Sequence, residues 1–191
     1  MAETKSIMIV GVGGQGSLLA SRLLGNVLLS QGFDVKVSEV HGMSQRGGSV
    51  VTYIKYGDEV FSPVIEKGEA DVIISLEQLE AARWVSYLKK GGKLITSTQK
   101  LDPMPVITGA AQYPQEIIDK IKTLDIEVTA APALELAEKA GNAKASNVVL
   151  MGVASTKMEF DEEVWQRAIA ECVPPKFLEL NKKAFELGKN V

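Results

Sequence analysis

The chain has 191 residues, 46% of them hydrophobic and 24% charged, enough for one soluble domain with a buried core. Lys plus Arg at 21 against Asp plus Glu at 24 gives a net charge of −3, which argues against nucleic acid or an anionic membrane as the main partner. One cysteine, Cys172, and one histidine, His41, exclude an intrachain disulfide, a thiolate-held iron–sulfur cluster and the usual structural zinc site. No basic segment leads into an apolar stretch near the N-terminus, and no apolar run approaches the roughly 18 residues of a spanning helix, so the expected location is cytoplasmic.

In chain order, Ser6–Val10 is a continuous apolar run, expected as a strand buried on both faces. It leads into Gly11-Val12-Gly13-Gly14-Gln15-Gly16. Leu18, Leu19, Leu23, Leu24, Val27 and Leu28 then recur at helical spacing until Gln31-Gly32, where the glycine suits a C-cap. Phe33–Glu39 returns as a second strand, making a βαβ unit expected to be parallel with a right-handed crossover. A polar, glycine-rich segment over His41–Gly48 precedes a strand at Ser49–Lys55, with Val60-Phe61 expected to pair back as a hairpin. Asp71–Ser75 is a buried strand, Glu77–Leu88 a helix and Lys93–Thr96 another strand. Pro103, Pro105, Gly109 and Pro114 break the middle into short strand and loop, Gln115–Leu124 is helical, and Ile126–Thr129 is the last strand. Four helices follow, over Ala133–Ala140, Asn147–Lys157, Asp161–Glu171 and Lys176–Leu187. The expected fold is α/β, a Rossmann-like, doubly wound, mostly parallel sheet with a helical C-terminal layer. It forms one domain over residues 1–191, with the sheet core in 1–131 and the helices in 132–191.

Gly11, Gly13 and Gly16 satisfy G-x-G-x-x-G between a strand and a helix, the context that motif requires. Three readings stand side by side: a dinucleotide loop, a site for another anion at the helix N-terminus, and a tight structural turn. A P-loop is excluded because Ser17-Leu18 follow Gly16 and the lysine is missing. Glu39 closes the second strand 23 residues after Gly16, where a ribose-binding acid is expected, although a solvated strand end fits equally. His41, Gln45, Arg46, Gly47 and Gly48 gather the only histidine, an amide, a guanidinium and glycines at the carboxyl end of that strand. An arginine flanked by glycines suits bidentate capture of a carboxylate or phosphate, and a charged surface loop is the plain alternative. Ser44 is not a hydrolase nucleophile, since Arg46 stands where G-x-S-x-G needs its last glycine.

The paired motifs G-V-G-G-Q-G at Gly11–Gly16 and V-K-V-S-E-V-H-G-M-S-Q-R-G-G-S-V at Val35–Val50 resemble the small, gamma-type subunit family of the 2-oxoacid:ferredoxin oxidoreductases. Within it the pattern is nearest to the beta subunits that serve indolepyruvate. Three further stretches agree: S-P-V-I with G-E-A-D-V at Ser62–Val72, S-N-V-V-L-M-G at Ser146–Gly152, and V-P-P-K-F-L-E-L-N-K-K-A-F-E-L-G at Val173–Gly188. The resemblance implies a subunit of a thiamine-diphosphate enzyme that decarboxylates an aryl 2-oxoacid, passes the acyl group to coenzyme A and sends electrons to ferredoxin. Thiamine diphosphate, magnesium and the 4Fe–4S clusters would lie on a large alpha subunit, since this chain lacks both G-D-G with paired asparagines and cluster cysteines. It also implies that Gly11, Gly13, Gly14, Gln15, Gly16, His41, Gln45, Arg46, Gly47 and Gly48 face that centre, and that Asn147 packs near the first loop or simply caps its helix. A homodimer is the expected state of the chain alone. A free-standing NAD(P)-binding protein and a non-catalytic assembly subunit are the competing readings.

Overall fold

The computed structural model describes residues 4–41 and 47–191. Six strands form one sheet: β1 (Lys5–Val12), β2 (Asp34–His41), β3 (Ser49–Gly57), β4 (Ala70–Ser75), β5 (Leu88–Ser97) and β6 (Glu127–Ala131). Their spatial order is β2-β3-β1-β4-β5-β6. The pairs β1–β4, β4–β5 and β5–β6 are parallel, whereas β3 runs antiparallel to both of its neighbours.

The expected βαβ unit is therefore corrected in one respect. Strand β2 runs in the same direction as β1 but does not touch it, because β3 lies between them. The chain between His41 and Ser49 is too short for a crossover, so β3 must turn back antiparallel against β2. Side-chain chemistry then decides which strand takes the inner place. In β3, Val50, Val51, Thr52 and Ile54 are buried, while Val37 and Val40 of β2 remain about half exposed and suit an edge.

Alternation along β1 builds two cores. Ile7 and Ile9 face one side, together with α1 (Ser17–Ser30), α5 (Ala133–Ala140), α6 (Ser146–Ser155), α7 (Glu162–Cys172) and α8 (Leu178–Lys189). Met8 and Val10 face the other, under α2 (Gln78–Trp84) and α4 (Ile117–Ile121). The helical C-terminal layer is thus one face of the sheet.

Two local expectations fail for identifiable reasons. Val60 and Phe61 form no hairpin strand, since the Val60 amide donates to the Asp34 carboxylate at 2.8 Å instead of to a strand backbone. The proline-rich middle holds a helical turn, α3 (Met104–Ile107), in place of a strand. Pro103 and Pro105 fall at its cap and first turn, where a missing N–H costs nothing. Among the described residues no helix is long and apolar enough to cross a membrane.

Candidate functional site at the carboxyl edge

The chain leaves β1 for α1 on one face and β4 for α2 on the other. The crevice outside the carboxyl ends of β1 and β4 is thus a topological switch point, where open α/β sheets place ligands. The glycine loop fills its rim. Gly14 has φ +101° and Gly16 φ +84°, backbone conformations that L side chains rarely adopt. The Gln15 side chain stitches the loop down: Oε1 accepts the Val12 amide at 2.8 Å, and Nε2 donates to the Leu76 carbonyl at 2.9 Å and to Gln99 Oε1 at 3.2 Å.

The structure brings the two glycine motifs together. The Gly13 amide donates to the Gly48 carbonyl at 2.9 Å, and the Gly47 amide donates back to the Gly13 carbonyl at 3.4 Å. His41 ends β2 opposite Val50. Gln45 and Arg46, the side chains singled out for anion capture, lie outside the described residues.

Asn147 does reach the first loop. It is buried at the start of α6, and its Nδ2 donates to the Gly16 carbonyl at 2.9 Å. It is not the cap of its own helix, whose N-cap position is Ala145. The bond ties the C-terminal helical layer to the turn that starts α1. Asn147→Ala should lower stability by about 1–2 kcal/mol, the usual cost of losing a buried hydrogen bond. Urea unfolding measures this, and hydrogen exchange should show faster opening over Gly11–Gly16; unchanged protection there would refute the tie.

The geometry disfavours a dinucleotide. The amides of Val12, Gly13 and Gln15 are already bonded within the rim, so they are not free to cradle a pyrophosphate. Glu39 stands two strands from β1, about 10 Å away at ordinary strand spacing. Its carboxylate instead accepts from Ser21 Oγ at 3.1 Å and Thr52 Oγ1 at 3.4 Å.

Below the rim lies a cavity of about 270 Å³ bordered by Gly13, Gly47, Ser49, Glu77, Glu80 and Arg83. No motif in the sequence points to its two buried glutamates. Glu77 Oε2 caps α2 by accepting the Glu80 amide at 2.9 Å, while Oε1 accepts the Leu101 amide at 3.2 Å and the Tyr113 hydroxyl. Burial first, and then the Glu77 carboxylate beside it, push the Tyr113 phenol well above its ordinary range, so it remains a donor. Glu80 accepts Ser49 Oγ at 2.5 Å and faces Arg83 at 3.4 Å. With Asp102 also on its border, the cavity presents three carboxylates against one guanidinium. Such a lining repels a diphosphate, and among the described residues no cluster of His, Cys, Asp or Glu could hold a metal ion. The residues present do not fit thiamine diphosphate and magnesium. One signal for Glu77 was available: it lies two residues past the end of a buried strand, at the edge where crevices form.

Comparison with known proteins identifies the family. The family model described as pyruvate ferredoxin/flavodoxin oxidoreductase matches residues 6–191. The chain belongs to that family. It is 44% identical over 190 residues to the indolepyruvate oxidoreductase subunit IorB of Thermococcus kodakarensis, covering 96% of this chain and 93% of that one. The gamma subunit of a keto/oxoacid ferredoxin oxidoreductase from Geobacter sulfurreducens shares the fold with a TM-score of 0.73 at 23% identity, covering 97% of this chain and 96% of that one. The 2-oxoglutarate:ferredoxin oxidoreductase of Magnetococcus marinus shares it with a TM-score of 0.76 at 16% identity, covering 98% of this chain but 31% of the longer one.

Proposed function

We propose that this chain is the small subunit of an indolepyruvate:ferredoxin oxidoreductase. The observation that carries the reading is the 44% identity to a named indolepyruvate oxidoreductase subunit along nearly the full length of both chains. The complex would release carbon dioxide from an aryl 2-oxoacid, transfer the acyl group to the coenzyme A thiol and hand two electrons to ferredoxin. Thiamine diphosphate, magnesium and 4Fe–4S clusters belong to the large alpha subunit in this reading, in keeping with an acidic carboxyl-edge cavity here that suits no diphosphate. The cytoplasm is the compartment proposed for it.

The carboxyl edge has the character of an incomplete surface. Leu18 at the start of α1, Val40 near the end of β2, and Met104 and Ile107 of α3 are each more than half exposed there. Apolar side chains around a functional edge support burial against a partner. The same patches support a twofold dimer when the subunit is alone. In this arrangement the rim of Gly11–Gly16, joined to Gly47-Gly48, faces the large subunit's reacting centre, and the amide of Gln45 and the guanidinium of Arg46 have the chemistry to bind an anion on that partner.

The test is co-expression with a large subunit, purification of the complex, and indolepyruvate-dependent reduction of viologen or ferredoxin. Turnover should need both chains and coenzyme A. Absence of a complex, or tight NAD(H) binding by this chain alone, would overturn the proposal. Arg46→Ala should weaken assembly or transition-state binding by about 2–5 kcal/mol, the cost of stranding a buried anion across an interface. Lysine should rescue only partly because it lacks the bidentate fork. If changes at Gln45 and Arg46 spare turnover once the complex has formed, the subunit serves assembly alone; if Arg46→Ala leaves both assembly and turnover unchanged, the assignment of Arg46 to the site is wrong.

A further inference from the structure

At the opposite edge of the sheet, where β1, β4 and β5 begin, lies a second and larger cavity of about 470 Å³. Its size falls within the range of about 300–1,000 Å³ typical of small-molecule sites. The floor is apolar and aromatic. Ile7 and Val72 are buried beneath it, and Phe33 stands edge-on to Tyr56 at 5.2 Å and to Phe160 at 6.3 Å between ring centres. The rim is basic, carrying Lys5, Lys89, Lys90, Lys93 and Lys157 against Asp71 and Glu159.

The pairing of those charges leaves specific groups free. Lys89 is bound to Asp71 at 2.8 Å, Lys157 to Glu127 at 2.7 Å and Lys90 to Asp125 at 3.4 Å. Lys93 meets no carboxylate within ion-pair distance among the described residues; its ammonium donates to the Lys157 carbonyl at 3.1 Å and keeps two donors. Lys5 has no partner among the described residues. Tyr56 is 7% exposed, borders the cavity, and its hydroxyl makes no hydrogen bond among the described residues. The hydroxyl is not sealed from solvent, so it stands at the cavity wall as a donor that an incoming carboxylate can accept. Burial first, and then the Asp71 and Glu159 carboxylates, push the Tyr56 phenol up to about 12, so it is a donor at neutral pH.

We propose that this cavity binds an aromatic carboxylate, its ring against Phe33, Tyr56 and Phe160 and its carboxylate between Lys5, Lys93 and the Tyr56 hydroxyl. The site lies across the sheet from the carboxyl edge and does not depend on the function proposed above. Its occupant touches none of the residues of the carboxyl-edge site, so it is a ligand other than the oxoacid undergoing reaction.

The full chain alone provides the test, with no turnover involved. Titration with 2-naphthoate, followed by calorimetry, should saturate at one equivalent and weaken with added salt. The uncharged 2-naphthamide should bind about tenfold more weakly or worse, as expected for the loss of a charge-assisted contact. The Lys5→Gln, Lys93→Gln double variant should weaken naphthoate by about tenfold, since both substitutions fall at the exposed or half-exposed rim and leave the fold intact. Tyr56→Phe should weaken it by a smaller factor. No saturable naphthoate binding at low-millimolar concentration would overturn the proposal. Equal binding of acid and amide, or indifference to the double variant, would overturn it as well.

Discussion

Glu77→Ala should destabilise the chain by about 3–5 kcal/mol, because it leaves buried donors without an acceptor at a cost of some 1–3 kcal/mol each. The side chain is 1% exposed and serves three separate segments at once. It caps α2 through the Glu80 amide, holds the segment after β5 through the Leu101 amide, and receives the Tyr113 hydroxyl from the loop before α4. Glu77→Gln keeps the volume and one acceptor oxygen but points an NH₂ at one of the donors, so it should fall between Ala and wild type. Urea denaturation measures both, as a lower midpoint with an unchanged slope. A change within about 1 kcal/mol for Glu77→Ala would mean that the three segments hold their places without it. Because the same carboxylate shapes the cavity beside Gly13 and Gly47, partner association should weaken in parallel with stability.

Glu77 also marks where a sequence stops being legible. Periodicity located the strands and the long helices, since each depends on burial along one face or stripe, and that pattern is written locally. The motif spacing likewise located the glycine rim, because a positive φ at Gly14 and Gly16 admits little except glycine. Strand order is a different kind of fact. That β3 rather than β2 lies beside β1 follows from a short connection and from which strand is apolar on both faces. Both clues were present, but they act only when the strands compete for the same place. The ribose-acid reading of Glu39 depended on the wrong neighbour. The buried glutamates were less visible still, since an acid at a helix start is an ordinary cap, and only the folded chain brings Ser49 and Tyr113 to Glu80 and Glu77. Asn147 is the opposite case, where the resemblance placed it near the loop and a 2.9 Å bond to Gly16 joins them.

Gly152→Ala should be among the most damaging single-methyl changes available to this protein. Helices α6 and α8 cross in near-backbone contact, with Gly152 and Gly188 facing each other. A Cβ at Gly152 would lie 2.0 Å from the Phe185 carbonyl oxygen, and one at Gly188 would lie 2.0 Å from the Val149 carbonyl oxygen. Neither obstacle is a side chain that can rotate away, so the helices must separate. Both glycines close stretches that carried the family resemblance, N-V-V-L-M-G and F-E-L-G. In an isolated helix alanine would be favoured over glycine by about 1 kcal/mol, and here the clash reverses that sign. Separation also disturbs the packing of α6, whose residues Asn147–Ala154 are all buried. A loss of about 3–5 kcal/mol is expected, at or above the upper end for overpacked cores. Gly25→Ala in α1 is the control, because a Cβ there meets nothing within 4 Å and the change should be neutral or mildly stabilising. Asn147 begins the same helix and holds the Gly16 carbonyl, so displacement of α6 should also loosen the glycine rim. Thermal unfolding of the two variants, with hydrogen exchange over Gly11–Gly16, distinguishes the cases. Equal stability of Gly152→Ala and Gly25→Ala would show that α8 can retreat without cost, and the tight crossing would then not be what fixes the C-terminal layer against the rim.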